Sequence, residues 1–308
     1  MNILLVHQNF PGQFRDLAPQ LIQRGHQVLA IGQRTLPNPP SGLQYLQYEP
    51  IAGGVSRQLA DPDLEQNLKR GARVQAQAKR LQQKGFEPDA VIVHSGWGEA
   101  LYLREVWPKA VLLAYPELYA KPDLLGYGFD SDLGAIGEGL RQSMKRQNFM
   151  ALAAIADADA AVVPTQFQRD TFPAHLRGRF QVIHEGVDTE RAQPYPNRHV
   201  RLSEQLMLRH GDPVITFVNR TLEPLRGFRS LMRALPIIQQ EHPTAQTLIV
   251  GEQLGSSYGQ PSPIPRVIPE RCWRYWATVL ISVGSISWER LSTATSWRCF
   301  RSARPTSI

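Results

Sequence analysis

Short apolar runs alternate with amphipathic stretches through the first 190 residues, the pattern of a parallel sheet with crossover helices. Ile3–His7 reads as a buried strand and Pro11-Gly12 as a turn. Phe14, Leu17, Ala18, Leu21 and Ile22 then share one helical face, with Gly25 placed to end the helix. His26–Ile31 and Leu43–Tyr48 are predicted strands, and Leu64–Lys84 a long, rather polar helix. Val91–Val93 and Val111–Ala114 are two more buried strands, with a short helix between them from about Glu99 to Val106. A helix over 138–156 precedes strands at Ala160–Val163 and Gln181–His184.

The pattern restarts after the turn-rich segment Gln193–Asn197. Val214–Val218 and Thr247–Val250 are predicted strands around a helix at Ser230–Gln240, which Pro236 is expected to kink or shorten. The fold class expected is α/β, with two Rossmann-like domains. Residues 1–190 form the first, a hinge spans 183–212, and residues 213–260 begin an incomplete second.

Composition changes this picture mainly at the end of the chain. With 42% hydrophobic and 20% charged residues the 308-residue protein is globular rather than disordered. No run approaches the ~18 apolar residues of a membrane span. Met1-Asn2 leads straight into Ile3–Val6 without a signal-like leader, so a cytoplasmic protein is expected. The net charge of +7 sits unevenly. Residues 261–308 contain seven Arg, no Lys, no Asp and two Glu, together with both cysteines, Cys272 and Cys299, and four of the six tryptophans. The rest of the chain is close to neutral, so no nucleic-acid partner is expected for it.

Candidate chemistry gathers where strands end, since ligands of parallel sheets lie at the carboxyl edge. The turn His7-Gln8-Asn9-Phe10-Pro11-Gly12-Gln13 lacks the G-x-G-x-x-G spacing of dinucleotide enzymes. Gly12 suits either a purely structural turn or a close approach of phosphate. His94, in His94-Ser95-Gly96-Trp97-Gly98-Glu99, is placed to donate to a sugar hydroxyl or phosphate, or else to pack or cap. Glu117 is an acceptor for sugar hydroxyls or a solvated loop carboxylate. Tyr127, Phe129 and Asp130 outline a weak acceptor loop. The most specific string is Ile183-His184-Glu185-Gly186-Val187-Asp188, followed by Asn219–Phe228, where Arg220 and Arg226 flank a strand-to-helix turn suited to an anion.

These strings together resemble the retaining glycosyltransferases of family 4. The likeness rests on His7–Phe14, Arg24-Gly25-His26, His94–Glu99, the hinge string and Arg220–Gly227, and covers about residues 1–258. It implies two Rossmann-like domains of the GT-B type, with the acceptor mainly on the first and the nucleotide-sugar donor mainly on the second. Gly12 then resembles the glycine near the transferred sugar or its phosphate, and His94 the histidine near the reacting sugar. Arg220 and Arg226 resemble the basic pair on the donor diphosphate, although lysine is more usual at the Arg226 position. His184, Glu185, Gly186 and Asp188 fall in the hinge. The co-substrate implied is a nucleotide-diphosphate sugar, with no cofactor and no metal. Asp61-Pro62-Asp63 has metal-motif spacing but sits in an N-terminal loop. The acceptor implied is a glycan or a lipid-linked glycan, the latter with peripheral contact at the inner membrane face.

The likeness stops at about residue 258, where further strands and a paired-glutamate stretch are expected. The tail that replaces them has the marks of a shifted reading frame. Trp and Cys codons begin TG; read one base earlier, all six tail Trp and Cys positions encode Leu, Met or Val, and the positions of Ala277 and Glu289 encode Gly. A shift near residues 256–271 is therefore expected, with weak or no transfer by this chain. The alternatives are a non-catalytic glycan-binding remnant, a basic-aromatic tail that binds membrane or nucleic acid, and a sugar-nucleotide epimerase of similar architecture.

Overall fold

The computed structural model describes residues 1–50, 62–125, 135–195, 197, 199–201, 207–252 and 278–281. Tyr127, Phe129, Asp130, Asp61 and, except for 278–281, the basic tail lie outside the described residues. Contacts divide the chain into two compact units, one holding Met1–Leu124 and Ala135–Val187, the other beginning at Asp188 apart from a short earlier segment.

The first unit is built on β1 (Asn2–Val6), α1 (Leu17–Gln23), β2 (Gln27–Gly32), β3 (Leu43–Gln47), α2 (Pro62–Gln83), β4 (Ala90–His94), α3 (Leu103–Val106), β5 (Val111–Tyr115), α4 (Glu138–Asp157), β6 (Ala160–Val163), α5 (Gln166–Thr171) and β7 (Phe180–Val182). All seven strands are parallel, in the order β3-β2-β1-β4-β5-β6-β7. β1 is apolar from Ile3 to Val6 because both faces are covered. Leu4 and Val6 face a core with Val74 and Ala78 of α2 and Ala154 and Ile155 of α4. Ile3 and Leu5 face the opposite core with Phe14 and with Ala18 of α1.

The chain winds outward from β1 to β3, then returns to the other side of β1 to continue as β4. This reversal makes a crevice at the carboxyl ends of β1 and β4. Val6 pairs with Val93, so His7 and His94 leave adjacent strands side by side.

Local departures from the expected elements have physical causes. Phe14 belongs to a 3₁₀ turn over Gly12–Phe14, and α1 starts only at Leu17. That places Pro19 within the first turn, where its missing N–H costs no hydrogen bond. The helix expected from Glu99 is confined to Leu103–Val106, because the chain first makes a turn after Gly98, whose φ is +97°. α5 is absent from the expected elements. Its signal is Thr165, which caps the helix by accepting from the Gln168 N–H at 3.1 Å, with Gln168 completing the capping spacing.

In the second unit β8 (His199–Arg201) and β9 (Met207–Arg209) pair antiparallel, also outside the expected elements. β10 (Val214–Thr221), β11 (Gln246–Glu252) and β12 (Thr278–Ile281) form a parallel sheet in that order. The β-favouring Thr-Val-Leu-Ile run of β12 pairs with Thr247–Val250. α6 (Phe228–Glu241) contains Pro236 and extends beyond the expected Ser230–Gln240 at both ends rather than being shortened. Its Phe228, Met232 and Leu235 pack with Leu222 and Ile249, and this apolar face stabilises the helix against the proline. No helix among the described residues is long and apolar enough to cross a membrane.

Candidate functional site

The crevice between β1 and β4 holds two buried histidines with ring centroids 4.5 Å apart. His7 is 5% exposed. Its Nδ1 accepts the Asn9 N–H at 2.9 Å, so the proton of the neutral ring sits on Nε2, facing the Gln13 carbonyl oxygen at 2.5 Å. Burial, reinforced by neighbouring His94, holds the His7 pKa down to about 4. The Gln13 amide in turn donates to Glu117 Oε1 at 2.7 Å. His7 and Gln13 thus form a neutral chain that orients a carboxylate more than a hundred residues away.

His94 closes this network from the other side. Its Nε2 lies 3.5 Å from Glu117 Oε1, within ion-pair range. The ring is 2% exposed, and neither nitrogen has a hydrogen-bond partner among the described residues. Buried polar atoms in native proteins are nearly always satisfied, so an unsatisfied pair at a ligand-binding edge invites a ligand hydroxyl. Glu117, 26% exposed at its side chain, and the partly buried Gln13 are where the network reaches solvent.

Gly12 is fixed by the same histidine. Its φ is +47°, and a Cβ there would overlap His7 Nε2 and stand 2.5 Å from Cε1. Glycine is required by the protein's own packing before any ligand is considered. The turn sequence displays this glycine plainly, but the roles of His7 and Gln13 emerge only once the loop is folded.

A second polar group adjoins this edge. Glu99 is completely buried, and burial pushes its carboxyl above the usual range, opposed by Arg70. Arg70 Nε lies 4.0 Å from Glu99 Oε1, and its Nη1 donates to Asn67 Oδ1 and to the Trp97 carbonyl, each at 2.7 Å. The contact depends on two glycines. A Cβ on Gly71 would stand 2.7 Å from the Gly98 carbonyl, and one on Gly98 would overlap the Asn67 backbone. α2 therefore lies directly on the loop after β4. Nothing in the polar α2 sequence marks Arg70 among its other cations.

The hinge string is exposed and mostly self-contained. His184 Nδ1 accepts the Gly186 N–H at 3.0 Å, Gly186 having φ +79°. Asp188 accepts from the Glu190 and Arg191 N–H groups at 3.1 and 3.0 Å. Within the first unit Glu185 accepts the Tyr115 hydroxyl at 2.6 Å, and burial with this carboxylate raises the Tyr115 pKa.

In the second unit Arg220 is exposed near the end of β10. Arg226 ends a short 3₁₀ turn, and its Nε donates to the fully buried Glu223 at 3.0 Å. Gly227, at φ +79°, then admits the chain to the start of α6. Glu223, which sequence reasoning passed over, orients Arg226 beside a helix N-terminus, an arrangement that favours anions. Among the described residues no group of three or more His, Cys, Asp or Glu is placed to hold a metal ion.

No curated protein matches the sequence. Among solved structures, the catalytic domain of starch synthase IV from Arabidopsis thaliana, bound to ADP and acarbose, superposes with a TM-score of 0.57 at 13% identity, covering 94% of this chain and 75% of that one. Sucrose-phosphate synthase from Thermosynechococcus elongatus gives 0.53 at 14% identity, over 92% of this chain and 70% of the other. WaaG, a glycosyltransferase involved in lipopolysaccharide biosynthesis, gives 0.53 at 15%, with the same coverage of 92% and 70%. At such identities these likenesses speak to the fold, the two-Rossmann GT-B type. The family is shown by sequence: residues 24–192, more than half of the chain, match the glycosyl transferase family 4 group, and the chain belongs to that group of glycosyltransferases.

Proposed function

We propose that the protein moves a sugar from a nucleotide-diphosphate donor to a glycan or lipid-linked acceptor, with retention at the anomeric carbon. The observation that carries this reading is His94, buried at the crevice with both ring nitrogens unsatisfied among the described residues and held beside Glu117. In the proposed step the bond from the anomeric carbon to the diphosphate breaks and its electron pair leaves with the diphosphate oxygen. The acceptor hydroxyl oxygen bonds to the same face, and its proton passes to the departing phosphate. His94 donates to a hydroxyl of the transferred sugar. The Glu117 carboxylate, oriented through Gln13, stabilises positive charge developing at the sugar. Arg220 and Arg226 carry the charge of the leaving diphosphate, so the reading calls for no metal.

Starch synthase IV, a structural relative bound to ADP, supports a nucleotide donor. The composition change after about residue 258 adds the expectation that these 308 residues turn the donor over slowly. Release of radiolabelled sugar from UDP-glucose, ADP-glucose and GDP-mannose tests the proposal. His94→Ala is expected to lower the rate by about 10²-fold or more; an unchanged rate would overturn the assignment.

A further inference from the structure

Beside the crevice, within the first unit, lies a cleft of about 250 Å³. Its polar lining is dominated by carboxamides: Gln8 after β1, Gln66 and Asn67 on α2, and Gln147 on α4. Ser143 adds a hydroxyl, and Trp97, half-buried in the loop after β4, adds an indole. No carboxylate lines the cleft among the described residues. Arg70 and Arg146 also border it, and both are engaged by the protein itself. Arg70 Nε lies 4.0 Å from Glu99 Oε1, and its Nη1 donates to Asn67 Oδ1 and to the Trp97 carbonyl, each at 2.7 Å. Arg146 has an interaction partner of its own. The arginines therefore belong to the frame that holds the lining in place. Two further contacts stiffen that frame. Gly98 packs against the Asn67 backbone, and the Gln8 carbonyl accepts the Gln33 N–H at 2.9 Å.

We infer that this cleft binds the acceptor through an uncharged sugar ring, with Trp97 against the ring's apolar face and the carboxamides on its hydroxyls. A carboxamide both donates and accepts, as a sugar hydroxyl does, so the lining can pair with hydroxyls in either sense. An anionic group, which only accepts, would leave the carboxamide oxygens without donors. An ammonium group would find no carboxylate. The indole supplies a rigid apolar wall with a polar tip, suited to a ring that is apolar on its faces and polar at its rim. The volume, below the roughly 300–1,000 Å³ of drug-sized pockets, suits a single ring with further units outside. Gln8 follows His7 directly, which sets that ring next to the proposed reacting centre. The inference deepens the proposed function by naming an acceptor class, and rests on that reading for the word acceptor; the preference for an uncharged ring does not.

The test is binding of glucose, galactose, mannose and N-acetylglucosamine to the full chain by saturation-transfer NMR, each compared with its 6-phosphate at low and high salt. At least one uncharged sugar is expected to bind, at least as tightly as its 6-phosphate, with an affinity that salt changes by less than about 2-fold. Trp97→Ala, checked for folding by circular dichroism, is expected to weaken that binding by about 5-fold or more, and Trp97→Phe to keep most of it. Gln147→Ala, at an exposed position of α4, is expected to weaken it by about 3-fold or more, and keeps the test open should Trp97→Ala lose its fold. No binding of any of the four sugars up to about 50 mM overturns the inference. So does tighter binding of the 6-phosphates, or parental affinity in a folded Trp97→Ala or Gln147→Ala protein. Nucleotide-sugar binding, measured separately on the same protein, reports on the proposed function, so either can fail without the other.

Discussion

Substituting Gly12 by alanine probes the packing that supports the site. The new Cβ would overlap His7 Nε2 and stand 2.5 and 2.8 Å from Cε1 and Cδ2, and the backbone would hold alanine at φ +47°. The left-handed conformation costs about 1 kcal/mol. His7 cannot yield cheaply, being buried and bonded at both nitrogens to Asn9 and Gln13. Displacing it leaves buried groups unsatisfied at roughly 1–3 kcal/mol. The total expected loss is about 3 kcal/mol, or a fall of roughly 6–12 °C in Tm for a unit of this size. Urea unfolding followed by circular dichroism measures it. His7→Ala empties the space, so the double variant His7→Ala/Gly12→Ala is expected to cost about 1–2 kcal/mol less than the sum of the singles. A Gly12→Ala protein within about 0.5 kcal/mol of the parent would refute the reasoning.

Three further outcomes are expected. His7 titrates near 4 when folded against 6.5 when free, so between these values the unfolded chain binds the extra proton. Its contribution, about 3 kcal/mol, is complete above pH 6.5 and lost as pH falls toward 4; His7→Gln should flatten that part of the stability-pH curve, and an unchanged slope would count against the buried neutral ring. Gly98→Ala, with φ +97° and the Asn67 backbone in the way, is expected to lower Tm by several degrees; an unchanged Tm would show that α2 does not rest on this loop as described. Glu117→Gln keeps the shape but removes the charge, and should lower sugar release from the donor by about 10-fold or more while leaving Tm within a few degrees.

Much of the first unit was legible because its strands are apolar on both faces and punctuated by turns. Ile3–Val6, Gln27–Ile31 and Val91–Val93 cannot hide in a helical pattern of this length. His94 and Glu117 were legible for the same reason, each following a strand that must end at the ligand edge. Their coupling was not legible. It passes through Gln13, an amide with no chemical signature of its own, and through His7, which reads as the last residue of a strand until Asn9 folds back on it. Arg70 was hidden among the charges of a polar helix, since its burial depends on the approach of Gly71 to Gly98 across the fold. The full length of α6 was less legible, because local propensity at Pro236 was weighed without the apolar face that packs on Leu222 and Ile249.

The central claim, that the ends of β1 and β4 handle the transferred sugar, is tested most directly at the His94 ring. Histidine ring signals of the isotopically labelled full chain would be followed by NMR during titration with UDP-glucose, ADP-glucose and GDP-mannose. At least one donor is predicted to shift the His94 signals, with His175 and His210 unmoved, and Glu117→Gln should diminish the shift. Binding of a nucleotide sugar with no change at His94, or no response of the folded protein to any of the three donors at millimolar concentration, would contradict the account.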